Sequence, residues 1–168
     1  MNLFKPAFIG VAAAALAITA CTSGKPVEET VSGLNPARFD SIVNNKKTAL
    51  FTLKNSNGME VCITNFGGRV VSLVVPDANG KPTDVVLGYD NLKQYTDSVN
   101  SPSDFGSSVG RYANRIGGGK LTVAGKTYQL PQNNFGHCLH GGPSGWMYQV
   151  YDAKQPNDST LILTIVSP

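Results

Sequence analysis

From Ser41 onwards the apolar residues recur with the period of strands. Leu50, Thr52 and Lys54 alternate with Phe51 and Leu53, and Val61, Ile63 and Asn65 alternate with Cys62, Thr64 and Phe66. Successive side chains of a strand point to opposite faces, so this period of two predicts two strands. Asn55-Ser56-Asn57-Gly58 between them ends in Asn-Gly, which enters positive φ at little cost, and the pair is expected to close as a β-hairpin. Gly67-Gly68 break the chain before a third run, Arg69-Val70-Val71-Ser72-Leu73-Val74-Val75, whose β-branched residues suit a strand. The turn cluster Pro76-Asp77-Ala78-Asn79-Gly80 closes it.

Further strands are expected at residues 84–87, at 120–123 and 127–130 around the turn Ala124-Gly125-Lys126, at 148–151 and at 160–166. Beyond the first twenty residues no amphipathic helical stretch exceeds about eight residues. Short strands at close spacing with turn signals indicate an all-β, mostly antiparallel sandwich or barrel. The chain stops just after an apolar strand, and an edge left unpartnered there is an aggregation liability, so the domain reads as incomplete.

Composition narrows this picture. Of 168 residues, 41% are hydrophobic and 15% charged, a globular balance, and the 18 glycines and 10 prolines are scattered as turns require. A net charge of +3 with no basic stripe speaks against nucleic acid as a partner. Cys21, Cys62 and Cys138 have neither zinc-ligand spacing nor the density of a disulfide framework, and Cys62 and Cys138 are expected to be free thiols.

The first twenty residues carry one positive charge, Lys5, no acid, and an apolar run too short to span a bilayer, which is the pattern of a signal peptide. They end Leu16-Ala17-Ile18-Thr19-Ala20-Cys21, which resembles a bacterial lipobox. The resemblance implies a lipidated Cys21 at the mature N-terminus, an exported protein held on a membrane by its lipid, a polar tether over residues 21–40, and a folded domain over 41–168.

Two segments place glycines and polar residues where a strand would place valines: Gly110-Arg111-Tyr112-Ala113-Asn114-Arg115-Ile116-Gly117-Gly118-Gly119 and His137-Cys138-Leu139-His140-Gly141-Gly142-Pro143. Both read as site loops. Taken alone, His140 could equally cap a Gly-Gly turn, and Arg111 and Arg115 could be solvated strand charges. Gly117-Gly118-Gly119 lacks the Lys-Ser/Thr of a phosphate-binding loop and reads as a turn. His137 stands near His140 without a third ligand, which speaks against a metal.

Together with Thr64-Asn65-Phe66-Gly67-Gly68-Arg69-Val70 and Val85-Val86-Leu87-Gly88-Tyr89, these segments make four ordered motifs that resemble the aldose 1-epimerase (mutarotase) family over residues 48–168. The resemblance implies an antiparallel β-sandwich of the galactose mutarotase-like type, present here in its N-terminal part. It implies interconversion of α and β anomers of a free hexose, galactose or glucose, by acid/base ring opening without cofactor or metal. Asn114 and Arg115 match the family pair that binds sugar hydroxyls, and His140 matches a catalytic histidine near the ring oxygen. The family's second histidine and its glutamate base have no match in this sequence, which leaves a non-catalytic carbohydrate-binding lipoprotein as the alternative. For Asn114 and Arg115 both to reach one sugar, a strand must bulge or end at that point. Trp146 and Tyr148 are either core aromatics or a stacking platform, with core favoured.

Overall fold

The computed structural model describes residues 29–167. The strand β1 (Ser41–Val43) folds back on β2 (Lys46–Thr48) through Asn44 and Asn45, both at positive φ. A four-stranded antiparallel sheet follows, formed in order by β3 (Leu50–Lys54), β4 (Glu60–Thr64), β5 (Arg69–Pro76) and β6 (Pro82–Asp84). The β3–β4 hairpin pairs Leu50 with Thr64 through Lys54 with Glu60, in register with the alternation of the sequence. The one α-helix among the described residues is α1 (Leu92–Thr96), whose start Asn91 caps by accepting the Gln94 amide at 3.1 Å.

Beyond it lie β7 (Arg115–Ile116), a hairpin of β8 (Lys120–Val123) with β9 (Lys126–Gln129), and β10 (Cys138–Leu139), which returns to pair with β7. The last hairpin joins β11 (Asp152–Asn157) to β12 (Thr160–Thr164). Every one of these pairings is antiparallel and the fold is mostly β, as the alternation predicts. Among the described residues no helix is long and apolar enough to cross a membrane.

The core gathers Leu50 of β3, Cys62 of β4, Phe66, Val71 of β5, Leu92 and Tyr95 of α1 and Val150. Leu34 and Phe39 belong to it as well, with Phe39 wholly buried. Glu60 fastens this leading segment by accepting the Val31 amide at 2.7 Å, and the Thr48 hydroxyl donates to the Phe39 carbonyl at 2.8 Å. Residues 30–40, expected as part of the tether, thus pack against the sheet through Leu34 and Phe39. They read as polar because their apolar residues are isolated ones with no period. Residues 1–28, with Cys21 and the lipobox, lie outside the described residues.

Two of the expected strands are displaced or cut short. The strand expected at residues 84–87 ends at Asp84, because the Asp84 carboxylate accepts both the Leu73 and Val86 amides at 3.0 Å and so replaces the ladder with a side-chain cap. Residues 146–148, whose tail falls within the expected 148–151 strand, form a 3-10 turn. The chain then runs extended, meeting the sheet through one bridge between Phe66 and Val150 and a Tyr151 amide bond to the Asn65 carbonyl at 2.9 Å.

Candidate functional site

The short pairing of β7 with β10 assembles the site. Arg115 lies opposite Leu139 and Ile116 opposite Cys138, so Asn114, just before β7, meets His140, just after β10. The meeting is reciprocal: the His140 amide donates to the Asn114 carbonyl at 2.9 Å, and the Asn114 amide donates to His140 Nδ1 at 2.9 Å. Both residues sit at positive φ, 60° for Asn114 and 55° for His140. Asparagine and histidine are among the few non-glycine residues found there, and such strain clusters at functional sites.

The backbone here brings two neighbouring side chains to one place. The strand begins at Arg115, and the left-handed turn at Asn114 swings its side chain round to the arginine, whose Nη1 donates to Asn114 Oδ1 at 3.4 Å. Arg115 Nε donates to Asn134 Oδ1 at 2.9 Å, which aims the guanidinium and leaves its outer N–H groups toward solvent, where Asn114 and Arg115 are both exposed. The bond from the Asn114 amide also settles the imidazole. An amide can only donate, so Nδ1 of the neutral ring is the acceptor and the proton sits on Nε2. Nε2–H is then the one donor of the His140 ring.

His137 faces elsewhere, accepting the Gly118 amide on its own Nδ1 at 3.1 Å. Among the described residues no three His, Cys, Asp or Glu side chains are grouped closely enough to hold a metal ion. Cys62 and Cys138 are free and buried, and burial pushes the Cys62 thiol above its ordinary pKa. Arg111 bonds Ser167 Oγ at 2.9 Å from an exposed position outside any strand.

Glycines let the two loops stack. Gly110 lies against the indole of Trp146, so that a Cβ there would enter the ring, and a Cβ on Gly141 would strike the Gly110 carbonyl. That carbonyl accepts the Trp146 amide at 3.0 Å, and Trp146 Nε1 donates to Ser167 Oγ at 3.1 Å. Trp146 thus serves packing between the loops.

A recess of about 590 Å³ opens beside His140, walled on one side by Leu87, Gly88 and Tyr89 and on another by Pro102, Ser103, Asp104 and Phe105. A larger cavity of about 780 Å³ around Lys46, Asn65 and Asp152 touches none of the residues singled out for chemistry. Asp104 and Asn134 are the members of the site that the sequence does not single out. Asp104 lies in an aperiodic polar loop, and Asn134 acts only through a contact nineteen residues away along the chain.

The family model described as aldose 1-epimerase matches residues 49–168. The chain is 37% identical over 113 residues to the probable aldose 1-epimerase of Arthroderma benhamiae, covering 66% of this chain and 26% of that protein. It is 42% identical over 91 residues to the galactose mutarotase of Mus musculus, covering 54% of this chain and 26% of that one. Among solved structures, the GalM/aldose epimerase homologue from C. elegans superposes with a TM-score of 0.65 at 32% identity, over 70% of this chain and 35% of that chain. The chain thus spans 26% of the length of each of these two curated relatives.

Proposed function

Because the chain belongs to the aldose 1-epimerase family, we propose that it serves the interconversion of the α and β anomers of a free hexose such as galactose or glucose, with Asn114 and Arg115 holding sugar hydroxyls and His140 at the ring oxygen. Anomer exchange requires a base to take the C1 hydroxyl proton and a donor to the ring oxygen. The bond from C1 to that oxygen then breaks, C1 becomes an aldehyde, and the ring recloses on the other face.

The observation that carries this reading is the pair of bonds between Asn114 and His140. With Nδ1 occupied, the neutral imidazole offers its Nε2–H to the oxygen on which negative charge develops, and it has no second proton to give. Its role is then that of a fixed electrostatic donor, and the full proton transfers belong to other groups. Among the described residues no carboxylate hydrogen-bonds His140, Asn114 or Arg115. That favours a second reading, a carbohydrate-binding protein without turnover.

Polarimetry separates the two. Freshly dissolved α-D-galactose is expected to reach anomeric equilibrium faster with the protein than in buffer, and His140→Ala should abolish the difference. Saturable binding without acceleration would support the second reading, and undiminished acceleration by His140→Ala would refute the role given to that residue.

We propose further that residues 1–20 are a signal peptide and that Cys21 carries lipid, placing the domain outside the inner membrane. The support is the short apolar run ending in Ile18-Thr19-Ala20-Cys21. Labelled fatty acid should enter the protein in a bacterial host and be lost in Cys21→Ser; equal labelling of that variant would exclude Cys21 as the site.

A further inference from the structure

Arg69 is wholly buried, and among the described residues it makes no ion pair. Desolvating a cation costs several kcal/mol unless partners replace the water, so an unpaired guanidinium in a core is a poor device for stability alone. Its partners are instead two backbone carbonyls and two rings. Nη1 donates to the Ser103 carbonyl at 2.9 Å and Nη2 to the Met147 carbonyl at 3.4 Å. The guanidinium carbon lies 4.8 Å from the Tyr95 ring centroid and 5.9 Å from that of Phe66.

These contacts lead to both walls of the recess beside His140. Ser103 and its neighbour Asp104 form one wall. On the other, Tyr95 supports Tyr89, accepting the Tyr89 amide on its hydroxyl at 2.7 Å and meeting the Tyr89 ring edge to face at 5.1 Å. The Met147 carbonyl adds the 3-10 turn that follows the His-Gly-Gly loop. One planar group thereby fixes two chain segments, residues 87–89 and 102–105, that are remote in sequence and face one cavity.

We propose that Arg69 is a positioning residue for the sugar site, holding the Ser103–Asp104 wall and, through Tyr95, the Tyr89 wall at their working distance from His140. The inference rests on the reading of that recess as part of a hexose site. A guanidinium suits the task because its fixed fan of donors reaches two carbonyls while its faces lie against aromatic rings, whereas an ammonium is a point charge without a stacking face. Burial lowers the pKa of Arg69, and the Tyr95 hydroxyl and then the Asp104 carboxylate oppose that fall.

The test uses the two histidines, of which His140 borders the recess and His137 does not. Arg69→Met and Arg69→Lys are compared with the unaltered chain by near-ultraviolet circular dichroism, by nitrogen-15 spectra of the imidazole rings, and by titration with D-galactose. Both variants are expected to keep the ring signals of His137, to shift those of His140, and to weaken galactose binding tenfold or more. Unmoved His140 signals in a folded Arg69→Met, or full recovery of both readouts by Arg69→Lys, would overturn the proposal. Should Arg69→Met fail to fold, Tyr95→Phe decides: it keeps the ring beside Arg69 but removes the hydroxyl that holds the Tyr89 amide, so it should shift the His140 signals and spare those of His137, and unmoved His140 signals overturn the claim equally. If the unaltered chain binds no galactose, the sugar reading fails, while the ring spectra still decide whether Arg69 sets the walls around His140.

Discussion

Gly141→Ala is expected to destabilise the domain by about 3 kcal/mol or more, the sum of a backbone penalty and an overpacking penalty. Gly141 holds φ at 88°, where any Cβ is strained, and its added methyl would fall on the Gly110 carbonyl. That oxygen has no room to retreat. It accepts the Trp146 amide, and Gly110 itself lies flat against the Trp146 indole. Gly125→Ala is the control: φ there is 77°, yet nothing lies within 4 Å of the new methyl. It should cost only the backbone share, roughly 1–2 kcal/mol. Urea unfolding of both variants measures the difference, and a Gly141→Ala midpoint no lower than that of Gly125→Ala would contradict the stacking of the two loops.

Arg115→Ala is expected to weaken hexose binding about 10–100-fold while leaving the melting temperature nearly unmoved. The guanidinium is exposed and spends Nε on Asn134 and a long bond on Asn114, so its loss opens no cavity. Its remaining N–H groups face solvent, free for sugar hydroxyls. A hydrogen bond from a charged donor contributes about 1.5–3 kcal/mol, and each 1.4 kcal/mol or so is a factor of ten in affinity. Arg115→Lys should recover only part of the loss, since an ammonium cannot keep the Asn134 bond and span two hydroxyls together. Unchanged affinity in Arg115→Ala would remove Arg115 from the site.

Much of the sheet is legible in the sequence because β3, β4 and β5 carry alternating or β-branched runs bounded by turn signals. The β3–β4 hairpin follows from Leu50 to Phe66 with Asn57-Gly58 between, and β8–β9 from Ala124-Gly125. The chain hides its structure where a side chain or a distant segment overrides the local pattern. Asp84 ends β6 early by capping amides that a ladder would use. β11, Asp-Ala-Lys-Gln-Pro-Asn, has no apolar period and contains Pro156, so nothing local marks it as a strand; β12 supplies the pairing. Leu34 and Phe39 enter the core singly, and one buried residue has no period to detect.

The site divides in the same way. Asn114, Arg115 and His140 stand out because they lie in two segments that place glycines and polar residues where a strand would place valines. Their supports do not stand out. Asn134 orients Arg115 and the Asn114 amide orients His140 through contacts made only once β7 meets β10. Arg69 shows in the sequence as part of a motif, but its burial among Phe66, Tyr95 and two carbonyls is a property of the packed chain.

If Asn114, Arg115 and His140 form one sugar-contacting group, calorimetric titration of D-galactose into the 168-residue chain will show it. Saturable binding with a dissociation constant on the order of millimolar, lost in an Arg115→Ala, His140→Ala double variant that remains folded, is the result expected. Absence of saturable binding to folded protein, or binding that survives the double substitution, would contradict it.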